Sequence, residues 1–154
     1  MIYQRSNVYA GSAPWQYTDF MPDVVWITLG GNDYGVSSLP DGAGAPPPGA
    51  FETHYDALVT TVRTQHPNAH IFCSVAPSLS DDYPPGWNAY ASVKSAAQHV
   101  VNAHAAAADT KIYFFEFARS TRADLTACES HPNIAKHRAM ANEAMILIKA
   151  KTGW

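Results

Sequence analysis

The chain has 154 residues, of which 47% are hydrophobic and 12% aromatic. That is enough to build the core of one domain, and too apolar for a disordered chain. Only 15% are charged, and 10 basic residues against 13 acidic ones leave a net charge of −3. With no basic run, nucleic acid and anionic membrane surfaces are excluded as expected partners. No apolar run reaches the ~18 residues that span a bilayer, and residues 1–15 lack the apolar stretch of an export leader. The compartment stays open.

In chain order, residues 22–29 (PDVVWITL) form the first short apolar run rich in β-branched and aromatic residues. Its near-continuous character predicts a strand covered on both faces. Residues 41–50 (DGAGAPPPGA) are the longest cluster of helix and strand breakers and predict a loop. Phe51, Tyr55, Leu58, Val59 and Val62 then recur with helical spacing. A second strand is predicted over 70–76 (HIFCSVA), followed by a loop over 78–86. Tyr90, Val93, Ala97, Val100 and Val101 mark a second helix ending near Ala108. A third strand is predicted over 111–117 (KIYFFEF), and Ile134, Ala141, Met145 and Ile148 mark the last helix. Strands alternating with helices imply a parallel sheet between helical layers, an α/β fold of flavodoxin-like type. Such sheets bind ligands in the loops that leave the carboxyl ends of their strands.

Two of those loops carry reactive residue types. Gly30-Gly31-Asn32-Asp33 directly follows the first strand. The glycines allow a sharp turn close to a ligand, and Asn32 offers an amide donor suited to an oxyanion. The same four residues also make an ordinary turn. Glu129-Ser130-His131-Pro132 precedes the last helix. A histidine there can act as a general base, with Glu129 holding its tautomer; the plainer reading is a helix capped by Ser130 or Asn133 beside an exposed histidine.

His99 and His104 are five apart and His131 and His137 six apart, so neither pair has the i, i+4 spacing of a helical metal pair. No metal or other cofactor is expected. His54, His66 and His70 read as surface or strand-edge residues. Trp15 and Trp87 read as core or as a wall for a ligand. Cys73 and Cys128 lack metal spacing and read either as one disulfide or as two separate thiols.

Taken together, the two loops resemble the SGNH (GDSL-type) hydrolases. The third block of that family, Gly-x-Asn-Asp, matches Gly30, Asn32 and Asp33, and its last block matches His131. The sugar acetyl esterases of carbohydrate esterase family two are the nearest pattern. Their Trp-Asp-Phe, Pro-Asp-Val-Val and Cys-Asp-x-His-Pro stretches resemble Trp15-Gln16-Tyr17, Pro22-Asp23-Val24-Val25 and Cys128-Glu129-Ser130-His131-Pro132. The resemblance covers about residues 10–150. It implies a single SGNH-type domain over 1–154 and an esterase acting on small acyl esters, with acetylated sugars or aryl esters as substrates. His131 would be the base, Glu129 its partner, and Asn32 the oxyanion donor, helped by the Gly30 or Gly31 backbone. The family is often secreted.

The family's first block, Gly-Asp-Ser, has no match here, nor does the glycine of its second block. The resemblance therefore implies a domain truncated at its N-terminus, without the nucleophile strand. Ser12, in Gly11-Ser12-Ala13-Pro14, is the candidate nucleophile within the chain, although it also reads as a plain loop serine; water activated by His131 is the other route. The absent strand would leave an apolar edge beside residues 22–29. Either residues 1–8 fill it or another copy does, so a homo-oligomer is expected. The competing reading is a catalytically inactive domain that binds carbohydrate or assembles with a partner.

Overall fold

A computed structural model describes residues 13–35 and 44–154. Three strands, β1 (Val24–Thr28), β2 (His70–Val75) and β3 (Ile112–Glu116), alternate with three helices, α1 (Ala50–Gln65), α2 (Ala89–Ala106) and α3 (Ile134–Thr152). The strands form one parallel sheet in the order β1-β2-β3. Register is direct, with Ile27 opposite Cys73 and Cys73 opposite Phe114. The α/β architecture expected from the alternating patterns is the one observed.

The apolar runs look continuous in sequence because both faces of the sheet carry large side chains. On one face Ile27, Ile71, Cys73, Val75 and Ile112 meet the buried stripe of α1, which comprises Phe51, Tyr55, Val59 and Val62. Val93, Ala96, Ala97, Val100 and Val101 of α2 complete that core. The other face is an aromatic ladder. Trp26 stacks on Phe72 at 5.0 Å and meets Phe115 edge-on at 5.5 Å. Phe72 packs on Tyr113, and Lys151 of α3 lies over the Tyr113 ring. Phe72 is fully buried; burying a side chain of that size contributes about 1.5–3 kcal/mol. Helices thus flank both faces of the sheet.

One polar clamp closes the amino end of the sheet. Arg63, in the last turn of α1, forms two hydrogen bonds with Asp109, Nε to Oδ2 at 2.8 Å and Nη2 to Oδ1 at 3.0 Å. Its remaining donors reach the carbonyls of His66, Pro67, Ala69 and Lys111. A planar guanidinium with five donors is the side chain that can satisfy so many acceptors at once.

Two expectations need correction. Cys73 and Cys128 are both free, so the disulfide reading fails. Strand alternation turns Cys73 toward α1, where it is fully buried beside the Tyr55 hydroxyl, whereas Cys128 is exposed in the loop after β3. Burial pushes the Cys73 thiol up to about 11. His66 is not a surface residue either. It is 5% exposed, with its ring edge-on to Tyr17 at 5.8 Å.

Ser12 and residues 1–8 lie outside the described residues. Among the described residues β1 pairs only with β2, and no helix is long and apolar enough to cross a membrane.

Candidate active site

The chain leaves β1 through a turn that glycine makes possible. Gly30 has φ +106°, a region that residues with a Cβ rarely adopt. A Cβ there would also lie 2.5 Å and 2.9 Å from the two methyl carbons of Val93 and 3.2 Å from Phe51 Cζ. The Gly30 carbonyl accepts from Tyr34 N–H at 3.1 Å, and the Asn32 carbonyl accepts from Gly35 N–H at 3.2 Å. Tyr34 is buried and edge-on to Phe51. Anchored at Gly30 and Tyr34, the turn exposes Gly31, Asn32 and Asp33. Beside them lies a groove of about 470 Å³ lined by Asn32, Asp33, Pro46, Pro47, Phe51 and His54. The half-buried Trp87 lines a second groove that shares Pro46, Pro47 and Phe51 with the first, while Trp15 is exposed.

His131 lies in the loop after β3, at the same carboxyl end of the sheet, with β2 between the two loops. Ser120 N–H donates to the Pro77 carbonyl at 3.0 Å and ties the β3 loop to the β2 loop. A short 3₁₀ turn over Cys128–Ser130 leads into His131. The His131 ring is exposed, and its Nδ1 lies 2.9 Å from the Cys128 carbonyl oxygen. A carbonyl can only accept, so Nδ1 carries the proton and Nε2 of the neutral ring keeps its lone pair.

Glu129 does not make the bond expected of it. It adopts a left-handed conformation (φ 52°, ψ 38°), and among the described residues no carboxylate pairs with His131. The Cys128 carbonyl takes that place. Asn133 caps α3 as its position before the helix suggested, with Oδ1 accepting from Lys136 N–H at 2.9 Å. What the sequence did not show is how the loop is scaffolded. Asp124 accepts from the backbone N–H and hydroxyl of Thr121, which hold its carboxyl below the ordinary range, the backbone bond first. The buried Lys136 donates to the Ala118 carbonyl.

Among the described residues no three His, Cys, Asp or Glu side chains gather as a metal site. His99 and His104 each face a carboxylate of α1 instead, Glu52 at 2.9 Å and Asp56 at 3.0 Å. The arrangement thus sets an imidazole, whose Nε2 has no hydrogen-bond partner among the described residues, and an amide-bearing turn at one end of a sheet.

The model of the GDSL-like Lipase/Acylhydrolase family matches residues 5–139, and the chain belongs to that family. The Cellulase/esterase CelE of Acetivibrio thermocellus is 34% identical over 153 residues, which are 99% of this chain and 17% of that protein. The structure of a family two carbohydrate esterase from Clostridium thermocellum in complex with cellohexaose matches with a TM-score of 0.83. It is 33% identical over 99% of this chain and 43% of that one. A carbohydrate esterase family 2 enzyme with a carbohydrate binding domain from Corynascus thermopiles (Myceliophthora fergusii) has a TM-score of 0.81. It is 26% identical over 99% of this chain and 44% of that one. The chain spans less than half the length of each of these relatives.

Proposed function

We propose that this chain works as an esterase domain that removes small acyl groups, with acetylated carbohydrate as the substrate class. The observation that carries the proposal is the His131 imidazole, whose Nδ1 is committed to the Cys128 carbonyl. Nε2 is thereby left to take a proton. In the forward step Nε2 accepts the proton of a hydroxyl, from a serine or a water, and the hydroxyl oxygen attacks the ester carbon. Asn32 and the Gly31 backbone donate to the tetrahedral oxyanion. The imidazolium then returns the proton to the departing alkoxide; in the serine route a water, deprotonated by the same Nε2, next attacks the acyl-serine and releases the acid, and the proton goes back to the serine oxygen. Within the chain Ser12 is the proposed serine, and a His131-activated water is the other route. Family membership and the carbohydrate esterases among its relatives support the ester substrate.

The test is turnover of p-nitrophenyl acetate by the purified chain and by His131→Ala, with a serine-reactive phosphonate to find the nucleophile. Wild-type turnover lost in His131→Ala supports the proposal; equal rates overturn it. A labelled Ser12 selects the serine route, and no label selects water.

One observation favours a second reading, a domain that binds carbohydrate without turnover: the relative from Clostridium thermocellum is seen with cellohexaose, a sugar with no acyl group to lose. Binding of cellohexaose with no hydrolysis of any acetyl ester would select it. We also propose a homo-oligomer joined along β1, because a strand edge exposes unpaired backbone groups that another strand can satisfy. Light scattering at micromolar concentration should show more than one chain per particle.

A further inference from the structure

We propose that Asn133 is a positioning residue, whose side-chain amide locks a strained turn so that it presents His131. The proposal rests on the reading of His131 as the base. Glu129 (φ 52°) and Ser130 (φ 59°) are consecutive residues with side chains in the left-handed region. Neither is glycine, and such conformations persist only where the surroundings over-determine them. The turn itself supplies two backbone bonds, Ala127 N–H to the His131 carbonyl and His131 N–H to the Cys128 carbonyl, each 3.1 Å.

The remaining restraints come from one residue two positions past His131, through its side chain and its backbone. Asn133 Nδ2 donates to the Ala123 carbonyl at 3.0 Å and to Thr126 Oγ1 at 3.2 Å. Its backbone N–H donates to the Asp124 carbonyl at 2.8 Å, and its Oδ1 caps α3. Capping a helix needs only the acceptor oxygen. The two donated bonds serve the loop instead, and they tie residues 123–126 to the start of α3. The left-handed pair and His131 lie between those two anchors. With both anchors fixed the turn has little freedom, and the imidazole keeps its bond to the Cys128 carbonyl. Misplacing a reacting group by about 1 Å can cost up to ~10²-fold in rate.

The design separates capping from tethering. Asn133→Asp keeps an acceptor at the cap and loses the donors; Asn133→Ser does the same without adding charge. In both variants we expect helicity and thermal midpoint close to wild type, an unchanged KM, and kcat on p-nitrophenyl acetate lower by about 10–100-fold. Nitrogen-15 NMR of the imidazole should show His131 changing from a single Nδ1–H tautomer to a mixture. An unchanged kcat and tautomer, or a fall in kcat that only follows lost helicity, overturns the proposal. His131→Ala separates the two claims. If it stays active the base assignment fails, while the tautomer measurement still decides whether Asn133 holds the ring.

Discussion

The Cys128 carbonyl receives both donors of one residue, His131 N–H at 3.1 Å and His131 Nδ1 at 2.9 Å. The backbone thus does for this imidazole what a carboxylate does in an acid–base triad, and it brings no charge with it. Glu129→Gln should therefore leave kcat/KM within about twofold of wild type, as an exposed substitution does. The acid limb of the pH profile should stay in place. A carboxylate partner favours the imidazolium, so losing one would move that limb to lower pH. Such a move, or a loss beyond about 100-fold, would return the orienting role to Glu129.

Asn32→Ala should lower kcat by about 10²–10³-fold with little change in KM, since a donor to the oxyanion acts mainly in the transition state. Steady-state kinetics on an aryl acetate reads this directly. An unchanged kcat would make the residue a turn former alone.

The two thiols should react at very different rates. Cys128 is exposed and Cys73 is buried in the sheet with its thiol pushed up to about 11, and alkylation needs an accessible thiolate. Iodoacetamide on the native protein should add one label, at Cys128, and a second only after denaturation. Peptide mapping that finds Cys73 labelled first would contradict the packing beneath α1.

Stability should fall on mild acidification, in part because of His66. Burial lowers the pKa of this ring below the ordinary histidine value. A histidine depressed in the folded state binds its proton more readily when unfolded. Its neutral form supports the fold fully above the unfolded value, about 6.5, and that support is lost as pH falls. Urea midpoints at pH about 7.5 and about 5 should differ less in His66→Phe than in wild type. Equal differences would move the cause elsewhere, first to His70, which burial also lowers.

Local patterns carried the elements well. The three apolar runs became strands because β-branched and aromatic residues suit a pleated, buried surface. The spacing of Phe51, Tyr55, Val59 and Val62 became the buried face of α1. Gly30–Asp33 and His131 could be placed because both sit just beyond elements that periodicity defines. Long-range pairing left no such trace. Arg63 meets Asp109 across 46 residues, and nothing near either residue announces the other. The buried His66 ring packs edge-on against Tyr17, far away in the chain. Glu129 reads as an acid beside a base, but its left-handed backbone is invisible in the sequence, and so is the Cys128 carbonyl that bonds the imidazole.

Gly30 and Val93 are 63 positions apart, yet they share one volume: the Val93 methyl carbons stand where a Cβ on residue 30 would go. Mutational history at these two sites is therefore order-dependent. Gly30→Ala made first meets both a clash and an unfavourable φ of +106°. Made after Val93→Ala, it escapes the Val93 methyls and keeps only the backbone penalty and the tight approach of Phe51 Cζ at 3.2 Å, so a double-mutant cycle should show a positive coupling between them. Shrinking residue 93 alone leaves a small void under the turn that carries Asn32, and loosens that turn from α2. Position 93 thus bears on the turn that carries Asn32 from another element, and a library that varies position 30 without it would record the glycine as irreplaceable.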